Sequence, residues 1–190
     1  MEVLTPPRRS WTACVSWILL FLWGMAGLSW AAAIPKEYQI KAVFLFNFAH
    51  FVKWPSKTFV RADEPFVIGI LGEDPFGSFL DETIRGENIN GHPLVVKHYS
   101  SEKDIKKCQI LFISNSEFDR LRAILDRLKG RSIMTVGDRE GFARGGGVVR
   151  FVTRGAKIRL RLNLGAAKEA NLTVSSKILR LAEIVETEKR

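Results

Sequence analysis

Four short apolar runs, each separated from the next by a turn or helix-forming segment, constrain this chain more than any single motif. They are "PFVIGILG" (Pro65 to Gly72), "HPLVVKHYS" (His92 to Ser100), "CQILFIS" (Cys108 to Ser114) and "SIMTVGD" (Ser132 to Asp138). Runs of four to eight residues rich in Val and Ile, bounded by Gly, Asp and Ser, read as buried strands. After the first comes "DPFGSFLDETIR", a helix for which Asp74 is a good N-cap and Pro75 a good first residue. Before the third lies "SEKD", a capping-box pattern at Ser101–Asp104. "SEFDRLRAILDRLKG" then places Phe118, Leu121, Ile124, Leu125 and Leu128 on one side of a helix that Gly130 stops.

Beyond the Gly-rich bend "REGFARGGG", the pattern changes to strict alternation. "VVRFVTRGAKIRLRLNL" splits at Arg154–Gly155 into a hairpin. Its second arm turns Ile158, Leu160, Leu162 and Leu164 one way, and Lys157, Arg159, Arg161 and Asn163 the other. "SSKILRLAEIVETEK" closes the chain as a helix capped near Ser175 or Ser176, with Val174, Ile178, Leu181 and Val185 inward. Strands alternating with helices imply a mostly parallel sheet covered on both faces. The expected fold is therefore α/β, a Rossmann-like three-layer sandwich with a C-terminal antiparallel hairpin at its edge and a closing helix.

The first 33 residues stand apart. Arg8 and Arg9 precede an uncharged run from Trp11 to Trp30, which ends in Ala31–Ala33. A basic n-region, an apolar h-region and an A-x-A end describe a secretory signal peptide over residues 1–33. An uncleaved anchor is the rival reading, since about 20 apolar residues also span a bilayer. Residues 34–190 then form one domain, large enough to bury about 70% of its unfolded surface. The segment 1–33 holds Glu2, Arg8 and Arg9, so residues 34–190 keep +8 of the formal +9. Export removes nucleic acid as the partner of that charge, and leaves anionic headgroups, an acidic partner or an anionic small ligand. The expected compartment is the periplasm.

The stretch "KAVFLFNFAHFVKWP" (Lys41 to Pro55) belongs to a helix running from about Lys36 to Trp54 that is apolar almost all round. Tyr38, Ala42, Leu45, Ala49 and Val52 share one face, which should lie on the sheet. The other carries Gln39, Asn47, His50 and Lys53 together with Val43, Phe46 and Trp54. Either a second layer covers that face as well, or its large side chains meet a partner. Val43, Phe46, His50 and Trp54 are the partner-binding candidates, because large aromatic residues concentrate interface energy.

Catalytic chemistry is not assembled anywhere in the sequence. His50, His92 and His98 show no helical metal-ligand spacing, and no Cys/His cluster exists, so neither a metal nor a cofactor is expected. "GEDPFGS" joins a strand to a helix but lacks the Lys-Ser/Thr of a phosphate loop and carries two acids. Ligand crevices in open α/β sheets lie beyond the carboxyl ends of the strands. That edge would hold Gly72, Asp74, Ser114, Asn115, Gly137 and Asp138, among which Ser114 and Asn115 are ligand-binding candidates. Arg150, Arg154, Arg159 and Arg161 on the hairpin offer an anion site, or else the solvated face of an edge. Cys108 is the one cysteine beyond residue 33, so no disulfide forms within residues 34–190.

The blocks "EYQIKAVFLFNFAHFVKWP", "PFVIGILGEDPFG", "CQILFIS", "GFARGGGVVRFV" and "LNLGAAKEANLTVSSKILRLA" resemble, in order, those of the YfiR-like proteins. The resemblance implies an exported, periplasmic, non-catalytic regulator with a Rossmann-like core. Such proteins repress a membrane-bound diguanylate cyclase by holding its periplasmic sensor domain in an off state. That lowers cyclic-di-GMP and disfavours biofilm, and the resemblance allows a homodimer while leaving the oligomeric state open. A redox switch built on paired cysteines within one chain cannot operate here. A periplasmic sensor of small anionic ligands is the alternative function.

Overall fold

The computed structural model describes residues 35–188. The leader or anchor read at residues 1–33 therefore lies outside the described residues. The chain enters α1 (Lys36–Phe51), a two-residue strand β1 (Val52–Lys53) and then β2 (Phe66–Leu71). Next come α2 (Ser78–Ile84), β3 (Asn88–Ile89), β4 (His92–Tyr99), β5 (Ile110–Ile113), α3 (Leu121–Leu128) and β6 (Met134–Gly137). The hairpin is β7 (Val149–Arg154) and β8 (Lys157–Asn163). It is followed by α4 (Leu164–Glu169), β9 (Thr173–Val174), α5 (Ser176–Leu179) and β10 (Ala182–Val185).

Eight strands form one sheet in the order β10-β8-β7-β6-β5-β2-β4-β3. From β4 through β2, β5 and β6 to β7, every neighbour pairs in parallel. The β7–β8 hairpin is antiparallel, and β10 runs parallel to β8 outside it. The expected mixed α/β architecture is thus present, with the hairpin one strand in from the edge.

Alternation within each central strand builds two cores, one per face. Phe66, Ile68 and Ile70 of β2 join Ile110 and Phe112 of β5 on the α1 side. Val67 and Leu71 join Leu111 and Ile113 on the α3 side, where Leu121, Ile124 and Leu128 cover them. Each large side chain buried in this way stabilises the fold by about 1.5–3 kcal/mol. Phe151 of β7 stacks on Phe48 at 5.9 Å, which extends the α1-side core across the hairpin. The α3-side cluster contains no residue of β7, β8 or β10. Among the described residues, the α3-side core therefore covers one half of the sheet and does not extend over the hairpin half, termed the bare face.

Several local readings need correction. α1 ends at Phe51 rather than Trp54, because Val52 turns extended (φ −114°, ψ 141°) and pairs with Val174. The residue before Pro55 is also biased away from helix. Asp74 is not an N-cap. Its Oδ1 accepts the Phe76 N–H at 2.7 Å, and Gly77, at φ 53°, precedes the helix. Residues 115–120 form a 3₁₀ segment ahead of α3.

Asn163 turns inward and is fully buried, whereas Leu164 is exposed and opens α4, a helix that the alternation concealed. The closing helix is only the four residues of α5. Beyond it Leu181 is 62% exposed, and Ala182–Val185 take up register with Leu160–Asn163 as an edge strand. Val-Ile content and an open parallel edge on β8 outweigh helical spacing there.

Candidate functional site

Lys41 is the only cation on the sheet-facing stripe of α1. It sits beside Ala42 and one turn before Leu45, and it is 1% exposed. A charge so placed needs a partner. The chain supplies one at the carboxyl end of β6, where Asp138 Oδ2 lies 2.7 Å from Lys41 Nζ and accepts the Tyr38 hydroxyl at 2.8 Å. Lys41 also pairs with Glu37, one turn back along α1. Glu37 in turn accepts the Thr153 hydroxyl from β7 at 2.7 Å. Asp138 Oδ1 is buried without a hydrogen-bond partner among the described residues. Burial, then the neighbouring Asp138, push the Tyr38 phenol well above its ordinary range. This network fixes the amino-terminal half of α1 over the sheet. A lone lysine on an apolar stripe was the sequence signal for it.

With that half pinned, the outward face of α1 is defined. Val43 is 44% exposed and His50 is exposed, while Phe46 is half-buried and packs edge-on to the His50 ring at 4.8 Å. Asn47 lies between them and donates to the Val43 carbonyl at 2.8 Å. Trp54 does not belong to this group. Its Nε1–H donates to the Gln109 carbonyl at 3.2 Å and its ring meets Phe66 edge-on at 4.9 Å, so it is half-buried and packs against the core.

At the strand-end crevice, protein side chains pack closely against Gly72 and Gly137. β2 and β5 diverge in their connections, so the ligand crevice would open beyond Leu71 and Ile113. Ser116 Oγ accepts the Glu73 N–H at 3.0 Å there, and a Cβ on Gly72 would lie 2.3 Å from that oxygen. Ser114 is buried with its N–H on the Leu71 carbonyl, while Asn115 is exposed. Asp74 meets His98 at 3.0 Å. Over β6, the Phe142 ring occupies the space where a Gly137 Cβ would stand, 2.4 Å away. The structure therefore separates Ser114 and Asn115 from the hairpin arginines.

Those arginines gather on the bare face. In register, Arg150 stands opposite Arg161, Val152 opposite Arg159, and Arg154 opposite Lys157. All point away from α1, because the residues between them, Phe151, Leu160 and Leu162, belong to the α1-side core. Like charges directly opposite each other on a sheet are destabilising. Burial, and then the charge of Arg161, draw the Arg150 pKa down. Arg161 has a partner in Glu183 of β10, at 3.0 Å. A 160 Å³ cavity lies beside Arg144, Arg150 and Arg161, where Glu140 and Glu188 balance the charge. A second, of 330 Å³, is lined by Arg154, Arg159, Arg161 and Arg180. Arg180 is the member that sequence reasoning missed, since it was assigned to a helix.

Among the described residues, no group of three or more His, Cys, Asp or Glu is placed to hold a metal ion. His92 stacks on Phe59 and bonds the Glu64 carbonyl, which makes it a packing residue of the β4 edge. No helix among the described residues is long and apolar enough to cross a membrane.

The described residues thus form a mixed α/β domain with a half-covered sheet, one helix face turned outward and a basic sheet face. The chain belongs to the YfiR/HmsC-like family, whose model matches residues 38–183. That family consists of periplasmic, non-catalytic regulators of cyclic-di-GMP signalling that act on membrane signalling proteins. No curated protein matches the chain. Among solved structures it resembles the ABC domain in complex with L-Trp from Streptococcus pneumonia, at 12% identity and a TM-score of 0.47. The likeness covers 63% of this chain and 55% of that one, so the chain spans about half the length of the solved protein.

Proposed function

We propose that this chain is an exported inhibitor that binds the periplasmic sensor domain of a membrane signalling protein, a diguanylate cyclase, and so lowers cyclic-di-GMP. Val43 carries the reading. It is 44% exposed in the middle of a helix whose other faces are built into the core and the buried Lys41 network. Phe46 and His50 flank it as a ready-made aromatic edge. The mechanism is stoichiometric. An inhibitor that prefers the off state of the sensor shifts its population by as much as its affinity for the two states differs.

A photo-crosslinking amino acid placed at position 43 of the full chain, expressed in its own cell, tests this. The expected product joins the chain to a membrane protein with a cyclase domain. The same probe at Val60, which is 79% exposed on a loop, should give no such product. Equal products from both positions, or none from position 43, contradict the proposal. A second reading, a sensor of small anions, draws support from the arginine-lined cavities on the opposite face. The two coexist if a ligand modulates the partner.

A further inference from the structure

The 330 Å³ cavity on the bare sheet face holds more positive charge than its surroundings neutralise. Arg154, Arg159, Arg161 and Arg180 line it, and Glu183 is the one acid among its lining residues. Glu183 is committed to Arg161. The guanidinium groups of Arg154, Arg159 and Arg180 form no ion pair or hydrogen bond with any other described residue, whereas their backbones are held in the β7–β8 ladder and the turn after α5. Three guanidiniums thus converge without a counter-charge, supplied by three different segments: β7, β8 and the turn between α5 and β10.

A merely solvated sheet face has no reason to converge like charges. Solvated surfaces intersperse the two signs, and opposed like charges across a sheet cost stability. The neighbouring 160 Å³ cavity shows the balanced arrangement, with Glu140 and Glu188 beside its arginines. The larger cavity lacks that balance. Its size falls at the lower end of the range for small-molecule sites, about 300–1,000 Å³.

The chemistry of the lining selects the ligand. A monocarboxylate would leave two of the three free cations uncompensated. A phosphate group carries up to two charges near neutral pH, and its oxygens match the planar guanidinium fork bidentately. Val152 and Leu181, also in the lining, offer apolar contact to whatever the phosphate is attached to.

We propose that the open cavity lined by Arg154, Arg159 and Arg180 is a binding site for a phosphate-bearing anion. That chemistry is shared by a free phosphoryl compound and by an anionic lipid headgroup. The site faces away from α1, so its failure would leave the inhibitory reading of α1 untouched.

Pyrophosphate is the first probe, titrated calorimetrically at low salt into protein purified after expression of the full chain, with acetate as the comparison anion. Flotation with phosphatidylglycerol vesicles, against phosphatidylcholine vesicles, separates the headgroup source from the free one. Binding in either arm, with acetate at least about tenfold weaker, is the expected result. In R159S/R180S the affinity should fall about a hundredfold, about tenfold for each guanidinium removed. R159K/R180K keeps the charge but not the planar fork, and its affinity should lie between the two. Both arginines are exposed, so circular dichroism and Tm should not change. No binding in either arm, acetate equal to pyrophosphate, or undiminished binding by a folded R159S/R180S protein would overturn the proposal.

Discussion

Lys41 and Asp138, 97 residues apart, meet in a 2.7 Å ion pair beneath α1. Their side chains are 1% and 7% exposed. The pair joins the first element of the domain to the carboxyl end of a central strand, and so sets where the outward face of α1 points.

Removing one member strands the other. In Lys41→Met, Asp138 would keep only the Tyr38 hydroxyl while one of its oxygens already lacks a partner. The expected loss is about 3–5 kcal/mol of unfolding free energy, the usual cost of breaking a buried pair. Lys41→Met/Asp138→Leu should recover part of that loss, because no charge then remains buried. Urea denaturation of the two variants measures both, and a double variant less stable than the single one would contradict the account.

The same network gives stability an acid limb. Burial raises the Glu37 pKa, but hydrogen bonds from Lys41 and Thr153, with the Lys41 charge, outweigh it and hold the carboxyl below the usual glutamate range. A carboxylate depressed in the folded state contributes stability that is fully present above its unfolded pKa, about 4.3, and is lost as pH falls through the folded value. Unfolding free energy should therefore decline from pH ~4.3 downward through this group. Glu37→Gln should flatten that decline and leave the pH dependence above about pH 4.3 unchanged, as read from urea denaturation across the acid range. Because the side chain is 36% exposed, the contribution is small.

Asn163 closes three groups at once. Its Oδ1 accepts the Ala166 N–H at 2.9 Å as the cap of α4. Its Nδ2 donates to the Ala143 carbonyl and the Thr187 hydroxyl, both at 2.8 Å. Asn163→Ala should cost about 2–3 kcal/mol, combining a lost cap with an orphaned buried carbonyl. Asn163→Ser should restore only the cap. Thermal unfolding of both variants distinguishes these contributions.

Cys108 should be chemically silent in the native protein. It is 5% exposed, burial pushes its thiol up to about 12, and the S–H donates to the Ile110 carbonyl at 2.9 Å. Labelling by a thiol reagent should follow global unfolding as denaturant is added. A Cβ at Gly69 would lie 2.8 Å from both Cys108 Sγ and the Tyr99 ring, so Gly69→Ala should destabilise by about 1–3 kcal/mol. Fast labelling of the untreated protein would show that the strand opens locally.

Much of the fold was legible because strand burial is written in composition. Ile68, Ile110 and Val136 sit in continuous apolar runs, and those runs became the parallel centre of the sheet. The misread segments are those where two periodicities compete. Around Ile178 and Leu181 helical spacing is real, yet β8 offers an unfilled parallel edge, and pairing Ala182 with Leu160 decides the outcome. Leu164 continued the alternation of β8 on paper, but the Asn163 side chain caps a helix at that point. The outward placement of Val43 and His50, with Phe46 half-buried beside them, was readable from helical geometry. The role of Trp54 was not, because its partner Gln109 lies 55 residues away. Arg180 was hidden by the misassigned helix, and the pairing of Lys41 with Asp138 is a long-range contact that spacing alone does not show.

Cyclic-di-GMP measured in cells that lack this chain, and in the same cells carrying either the wild-type chain or Val43→Asp, tests the inhibitory reading most directly. Loss of the chain should raise the nucleotide several-fold. The wild type should bring it back down, and Val43→Asp, folded and exported in equal amount, should not. A level that does not rise when the chain is absent, or that Val43→Asp lowers as fully as the wild type, would contradict the account.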